Sequence, residues 1–241
     1  MSQSCNKREA VAWAMNRTLI AAALLACSAS STFAEAKTQD FQQWATVSAT
    51  VSASDRIRLQ NEFVMRFSDN RNGLYEIENV TLVGYKLDDH VTAWAGYVHN
   101  PQYNAGDFTV MERRAREQLT FDNIAKLGKA SLSARVRLEQ RWRDHIDGTG
   151  WRLRPYAKLG VPLGGKTAPT LNVSIEPFIN LNNTSFQAKD GLDRTRTAAS
   201  LSVPVSKVLK LEAGYLNQHR FVAHGPDLDD HAVTGTLSLS F

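Results

Sequence analysis

From about residue 41 to the C-terminus, apolar and polar side chains alternate one by one along the chain. A period of two means β-strands, because successive side chains point to opposite faces. The alternation predicts eleven segments: 42–53, 55–67, 74–87, 90–99, 108–121, 129–143, 151–161, 170–180, 194–203, 207–218 and 231–241. Most have about the nine to eleven residues that a tilted strand needs to cross a bilayer. In the second segment Ile57, Leu59, Phe63, Met65 and Phe67 alternate with Arg56, Arg58, Gln60, Glu62 and Arg66. In the seventh, Trp151, Leu153, Ala157 and Leu159 alternate with Arg152, Arg154, Tyr156 and Lys158. The sixth has the reverse parity, with Arg135, Arg137, Glu139, Arg141 and Arg143 on the polar side.

Soluble sandwiches also alternate, so the character of the two faces has to decide. Three features favour an antiparallel up-and-down transmembrane barrel. The polar face repeats Arg and Glu, as in Glu112, Arg114, Arg116 and Gln118, and such charges pair across a closed interior. Aromatic residues near segment ends (Trp44, Phe67, Tyr75, Tyr97, Phe121, Trp142, Trp151 and Phe241) suit two interfacial girdles. The chain ends in Phe241 after alternating apolar positions, which resembles the signal read by the bacterial barrel-assembly machinery. Short connections near 53–55, 88–90 and 203–207 alternate with longer polar ones near 68–74, 99–108, 143–151, 181–193 and 219–230, the pattern of periplasmic turns and external loops. Eleven is odd, whereas single-chain bacterial barrels have even counts. Twelve strands are therefore expected, the extra one from residues 36–45, with ten as the alternative.

The N-terminus reads as an export signal. Lys7, Arg8 and Arg17 precede a short apolar core from Leu19 to Ala26, and Ala34-Glu35-Ala36 has the form of a cleavage site. This predicts a signal peptide over 1–36, cut after Ala34 or Ala36, and a barrel over 37–241 in the outer membrane. Cys5 and Cys27 both precede the cut, so the mature chain has no thiol. The rival is a lipobox at Leu24-Leu25-Ala26-Cys27, with Cys27 lipidated.

Formal net charge is +4, yet no basic cluster lies on a helical pattern, and nucleic acid is not an expected partner. The expected partners are outer-membrane lipid and, during biogenesis, the assembly machinery. The basic residues fall instead on the polar parity: Arg56, Arg58, Arg66, Lys86, Arg114, Arg116, Arg135, Arg137, Arg141, Arg143, Arg152, Arg154, Lys158, Arg194, Arg196 and Lys210. The acids Glu62, Glu76, Glu78, Glu112, Glu139, Glu176 and Glu212 share it. All are expected in the lumen, because a lipid-facing Arg or Lys at the midplane costs roughly 2–4 kcal/mol. Arg113 and Glu117 fall on the outward parity and stand out as exceptions.

The motifs carry a family resemblance. They are Trp44, Glu112-x-Arg114 with Gln118, Arg135-x-Arg137-Leu138-Glu139-Gln140-Arg141, Arg152-Leu153-Arg154-x-Tyr156, Glu176-x-Phe178-x-Asn180, Arg194-x-Arg196, Gly214-Tyr215-Leu216-Asn217-Gln218 and the terminal Phe241. With these the chain resembles the bacterial family catalogued as domain of unknown function 2490, whose members look like outer-membrane barrels. The resemblance implies location and fold and brings no catalytic residues.

Sixteen basic against seven acidic residues on one face allow two readings. An Arg–Glu ladder fills a narrow barrel and holds its shape, or the excess of Arg lines a narrow anion-preferring pore. A lipid-modifying enzyme would draw on His99, His145, His219, His224 and His231 with Asp227, Asp229 and Asp230, or on Ser185 or Ser240, but no catalytic motif joins them. The segment His219 to His231 offers N and O ligands without a known metal spacing, and no cofactor is expected. A soluble periplasmic ligand-binding barrel would require the inverse arrangement, apolar parity inside.

Overall fold

The computed structural model describes residues 38–165 and 167–241. The expected signal peptide and both cysteines lie outside the described residues. The described chain is all-β: β1 Gln39–Ser52, β2 Ile57–Ser68, β3 Gly73–Lys86, β4 Val91–Asn104, β5 Asp107–Leu127, β6 Ala130–Arg143, β7 Ile146–Pro162, β8 Thr170–Asn180, β9 Gly191–Pro204, β10 Leu209–Arg220 and β11 Leu228–Ser240. Each predicted segment corresponds to one of these strands. No helix among the described residues is long and apolar enough to cross a membrane.

Consecutive strands pair antiparallel, and β1 closes the ring against β11. This corrects the expected twelve strands, and the alternative ten, to eleven. In an antiparallel meander strand direction alternates, so the first and last of an odd set run the same way and seal only as a parallel ladder. That ladder runs from Gln39↔Asp229 to Thr50↔Ser240. With β2 on its other side, β1 has no free edge for another strand to join. Residues 39–45, expected to supply part of a twelfth strand, instead begin β1.

The connections differ from expectation at one end. The longer loops expected near 99–108 and 143–151 are mostly strand. Ala105 (φ 52°) and Gly106 (φ 87°) form a two-residue turn, and both having positive φ is the type I′ arrangement that suits a twisted hairpin. The end of the barrel carrying this turn, residues 69–72, 144–145, 181–190 and 221–227, is called the loop end below. The other, where Phe241 bonds the backbone of Thr50 and Ser52, is the C-terminal end.

Burial runs opposite to that of a water-soluble protein. Along β8, Leu171, Val173 and Ile175 are exposed, whereas Asn172, Glu176, Phe178 and Asn180 are buried. The same inversion holds along β2, where Ile57, Leu59, Phe63 and Phe67 are exposed and Arg66 and Ser68 are buried. The buried apolar cluster is small: Val80, Leu82 and Val98, with Trp94 packed against it, inside the C-terminal half. Gly84 makes room for that indole, since a Cβ there would lie 2.5 Å from Trp94 Cε3.

Candidate functional site

The interior is a network of arginines and carboxylates, built from strands whose polar parities converge on the axis. β5 and β6 bring Glu112, Arg114, Arg116 and Gln118 opposite Arg143, Arg141, Glu139 and Arg137. Arg114 thus faces Arg141, a repulsive cross-strand pair on its own. Glu112 resolves it. It is fully buried and accepts from Arg114 Nε at 2.6 Å, Arg141 Nη2 at 2.9 Å and Arg143 Nε at 2.8 Å.

Glu139 occupies the equivalent place one layer further along the axis. It accepts from Arg116 Nη2 at 3.0 Å, Arg152 Nη2 at 2.6 Å and Arg154 Nη1 at 2.9 Å. Glu78 bridges Arg66 and Arg114 at 3.0 Å each. Glu76 also pairs with Arg66. Glu176 accepts from Arg154 Nη2 at 3.0 Å and from Arg135. Charge-assisted bonds of this kind are short and strong, and burial makes each one obligatory once its partner is fixed.

Opposite charges balance in the deepest layer. Among the described residues, the buried arginines are Arg66, Arg114, Arg116, Arg137, Arg141, Arg152 and Arg154. The buried carboxylates are Asp40, Glu76, Glu78, Glu112, Glu139, Glu176 and Asp230. Seven meet seven, so this layer is formally neutral. The excess of basic residues seen in the sequence sits at partly exposed positions: Arg58, Lys86, Arg135, Arg143, Lys158, Arg194 and Arg196, against Glu62 and Glu212.

Two residues expected in the lumen are elsewhere. Arg56 lies in the exposed turn before β2, and its Nη1 donates to the hydroxyl of the exposed Tyr85 at 3.1 Å, on the outer side. The chain is turning there, so the parity that governs β2 no longer holds. Lys210 keeps the inward parity but is exposed, because it is the second residue of β10, at the C-terminal rim. Two of the expected girdle aromatics are also displaced. Trp44 is buried inside, where the guanidinium groups of Arg66 and Arg196 stand 4.4 and 4.6 Å from its ring centres. Tyr75 is the extra residue where the register shifts against Arg66/Phe67, and its hydroxyl reaches Gln42 at 2.8 Å. Phe67, Tyr97, Trp142, Trp151 and Phe241 are exposed, and Phe121 is half-buried.

Several interior residues are absent from the sequence-based expectation. Phe178 is buried beneath four guanidinium groups, those of Arg152, Arg154, Arg194 and Arg196, at 5.2, 4.1, 5.6 and 4.6 Å from its ring centre. Asp40 gathers Gln42 and Ser68, and Asp230 gathers Gln218 and Arg220. Gln187 folds inward from the 181–190 loop to accept from Arg141 Nη1 at 2.9 Å. Parity marks Trp44 and Phe178, since both sit on polar faces; the loop residue carries no such signal.

Two chambers flank the network. The loop-end chamber, about 170 Å³, is lined by Arg66, Arg71, Arg114, Arg141, Arg143, Arg152, Arg154, Arg194, Arg196 and Arg220, with Asp40, Glu76, Glu78 and Asp230 as its carboxylates. The C-terminal chamber, about 210 Å³, is lined by Arg116, Arg135 and Arg137 with Glu62, Asp122 and the apolar Val80, Leu82 and Trp94. Glu139 joins Arg116, on one side, to Arg152 and Arg154, on the other, and is itself fully buried. This carboxylate and its three arginines form a partition between the chambers.

The histidines lie apart from the interior network. His219 approaches Asp229 at 3.0 Å and Asp227 at 3.3 Å, and the Tyr215 hydroxyl meets His231 Nδ1 at 2.5 Å, both pairs near the loop end. Ser185 and Ser240 are exposed and touch neither pair. His99, His145 and His224 are exposed as well. Arg113 and Glu117 do face outward: Arg113 pairs with Asp144, and Glu117 accepts from Gln140 Nε2 at 3.2 Å.

Comparison with known proteins places this architecture in a family. An uncharacterized protein of Methylorubrum extorquens is 31% identical over 166 residues, covering 66% of this chain and 71% of that one. Among solved structures, the siderophore receptor PirA from Pseudomonas aeruginosa overlaps 71% of this chain at 12% identity and a TM-score of 0.26. The chain spans about a third of that receptor, 35%, and a likeness at this level carries no argument. The family described as "Protein of unknown function (DUF2490)" matches residues 41–229, most of the barrel, and the chain belongs to it.

Proposed function

We propose that this protein is a bacterial outer-membrane barrel with a closed, side-chain-filled lumen, a membrane-embedded scaffold and not an open channel. The observation that carries the reading is the inverted burial: apolar residues such as Val83, Val173 and Val233 are more than half exposed while seven arginines are buried inside. An apolar outer band of this extent in water would drive aggregation, whereas acyl chains cover it without cost. The same inversion argues against a water-soluble ligand-binding barrel, which needs its apolar parity inside.

The partition at Glu139 and the neutrality of the buried layer favour a filled wall over an anion-preferring pore, because conduction needs a continuous polar path. Outer-membrane lipid and the assembly machinery are the partners this reading assigns, with Phe241 as the terminal signal and residues 1–36 as the export signal. No reaction is assigned to the chain.

The test is fractionation combined with gel mobility and bilayer recording. The protein is expected in the outer-membrane fraction, to migrate as a compact form in unheated detergent and to shift on boiling. Reconstituted in planar bilayers it is expected to be silent. Recovery as a detergent-free folded protein in the periplasmic fraction contradicts the location, and anion-preferring conductance steps contradict the closed lumen.

A further inference from the structure

We propose that the loop-end chamber binds a small, multiply charged oxyanion of the phosphate class. The site lies wholly within the barrel, and the inference holds whatever medium covers the outer face.

Ten arginines and four carboxylates line this space. Adding the carboxylates that hold those arginines from behind (Glu112, Glu139, Glu176 and Asp193) still leaves arginine in excess. The excess is not spread evenly. Arg66, Arg114, Arg141, Arg152 and Arg154 are anchored on buried glutamates, which fixes their guanidinium planes. Arg196 has only Glu176, at 4.0 Å, and otherwise rests on the Trp44 and Phe178 rings. Arg71 has no carboxylate partner among the described residues and stands over Tyr75. The chamber therefore combines guanidinium groups already held in place with others whose charge is left unmet.

That combination selects the ligand. A guanidinium presents a rigid fork that matches phosphate oxygens two at a time, and fixed arginines lose little freedom on binding. The arginines come from the β2–β3 turn and from β2, β5, β6, β7, β9 and β10, so they converge from around the ring. A compact tetrahedral anion can meet several of them at once, and the limited volume excludes a bulky one. Phe178 is the one aliphatic or phenyl side chain in the lining, which leaves no wall for an apolar ligand. The opposite chamber, with three arginines beside Val80, Leu82 and Trp94, lacks this character.

A phosphate group can arrive free in solution or as a lipid headgroup reaching over the rim, and the experiment separates these. The detergent-purified protein is titrated calorimetrically with inorganic phosphate, and separately with micelles containing phosphatidic acid, at constant ionic strength. Saturable phosphate binding at one site is expected, weakened roughly tenfold or more by R71Q and by R196Q, as removal of one charge-assisted hydrogen bond implies. Arg71 is exposed in a turn, so R71Q leaves the barrel folded even if R196Q does not. Phosphate binding that phosphatidic acid fails to displace identifies a free oxyanion; displacement identifies a lipid headgroup; both support the site. Absence of saturable binding by either probe, or phosphate binding unchanged in both variants, overturns the proposal.

Discussion

The two halves of the interior solve the same problem differently. In the C-terminal half, Val80, Leu82, Val98 and Trp94 form a small apolar core beside Arg116 and Arg137. In the loop-end half, apolar packing is replaced by guanidinium groups on carboxylates and on the Trp44 and Phe178 rings. An apolar core can absorb a truncation by leaving a cavity, but an ion network cannot, because a stranded buried charge keeps its full desolvation cost. The halves should therefore respond to substitution on different scales, and Glu139, which joins them, should be the most sensitive position.

The largest expected effect is E139A. It leaves Arg116, Arg152 and Arg154 without their shared carboxylate and should destabilise the barrel by about 3–5 kcal/mol, the range for breaking a buried ion pair. Urea unfolding in detergent measures this; a loss below that of an apolar truncation in the other half would dissolve the contrast. Next is G84V in the apolar half, where the new side chain meets the Trp94 indole. Overpacking of this kind costs about 1–3 kcal/mol, and the same unfolding assay with Trp fluorescence reads it.

W44L follows, removing an aromatic face from both Arg66 and Arg196 while keeping apolar bulk. Each of these cation–π interactions is worth about 0.5–2 kcal/mol, and a neutral result would show that the rings merely fill space. The smallest effect lies outside both halves, at the turn after β3. Lys86 Nζ meets Asp89 at 2.6 Å and holds its carboxyl below the ordinary value of 3.8. A depressed carboxyl pKa helps the folded state above its unfolded value and loses that help as pH falls through the folded one. In K86M the Asp89 carboxyl should return upward toward 3.8 by NMR titration, with no measurable change in stability.

Much of this is legible from alternation. Period two locates all eleven strands, and parity places Arg66, Glu112, Arg114, Glu139 and Arg154 on a common face before any pairing is known. The strand total is hidden by a general rule: even counts describe barrels closed antiparallel, and nothing local in residues 39–52 announces a parallel seam. Loop lengths come out too long because Gly, Asn and Asp mark turns without saying how far the flanking strands rise, as at Ala105-Gly106. Aromatic character alone puts Trp44 in a girdle, although its even position sets it with Gln42 and Thr46 on the polar face. The equality of buried charges is hidden altogether, since it depends on register and on which residues reach the rim. Arg56 illustrates this: it shares a parity with Arg66 yet turns outward to Tyr85.

Whether the apolar parity touches acyl chains can be read at one residue. The chain carries no cysteine after Cys27, so V173C on β8 can be labelled with a single fluorophore in the processed, reconstituted protein. Its emission should be quenched by lipids bearing a quencher on the acyl chain and be insensitive to aqueous iodide. Quenching by iodide with indifference to the lipid-borne quencher would put Val173 in water and contradict the placement.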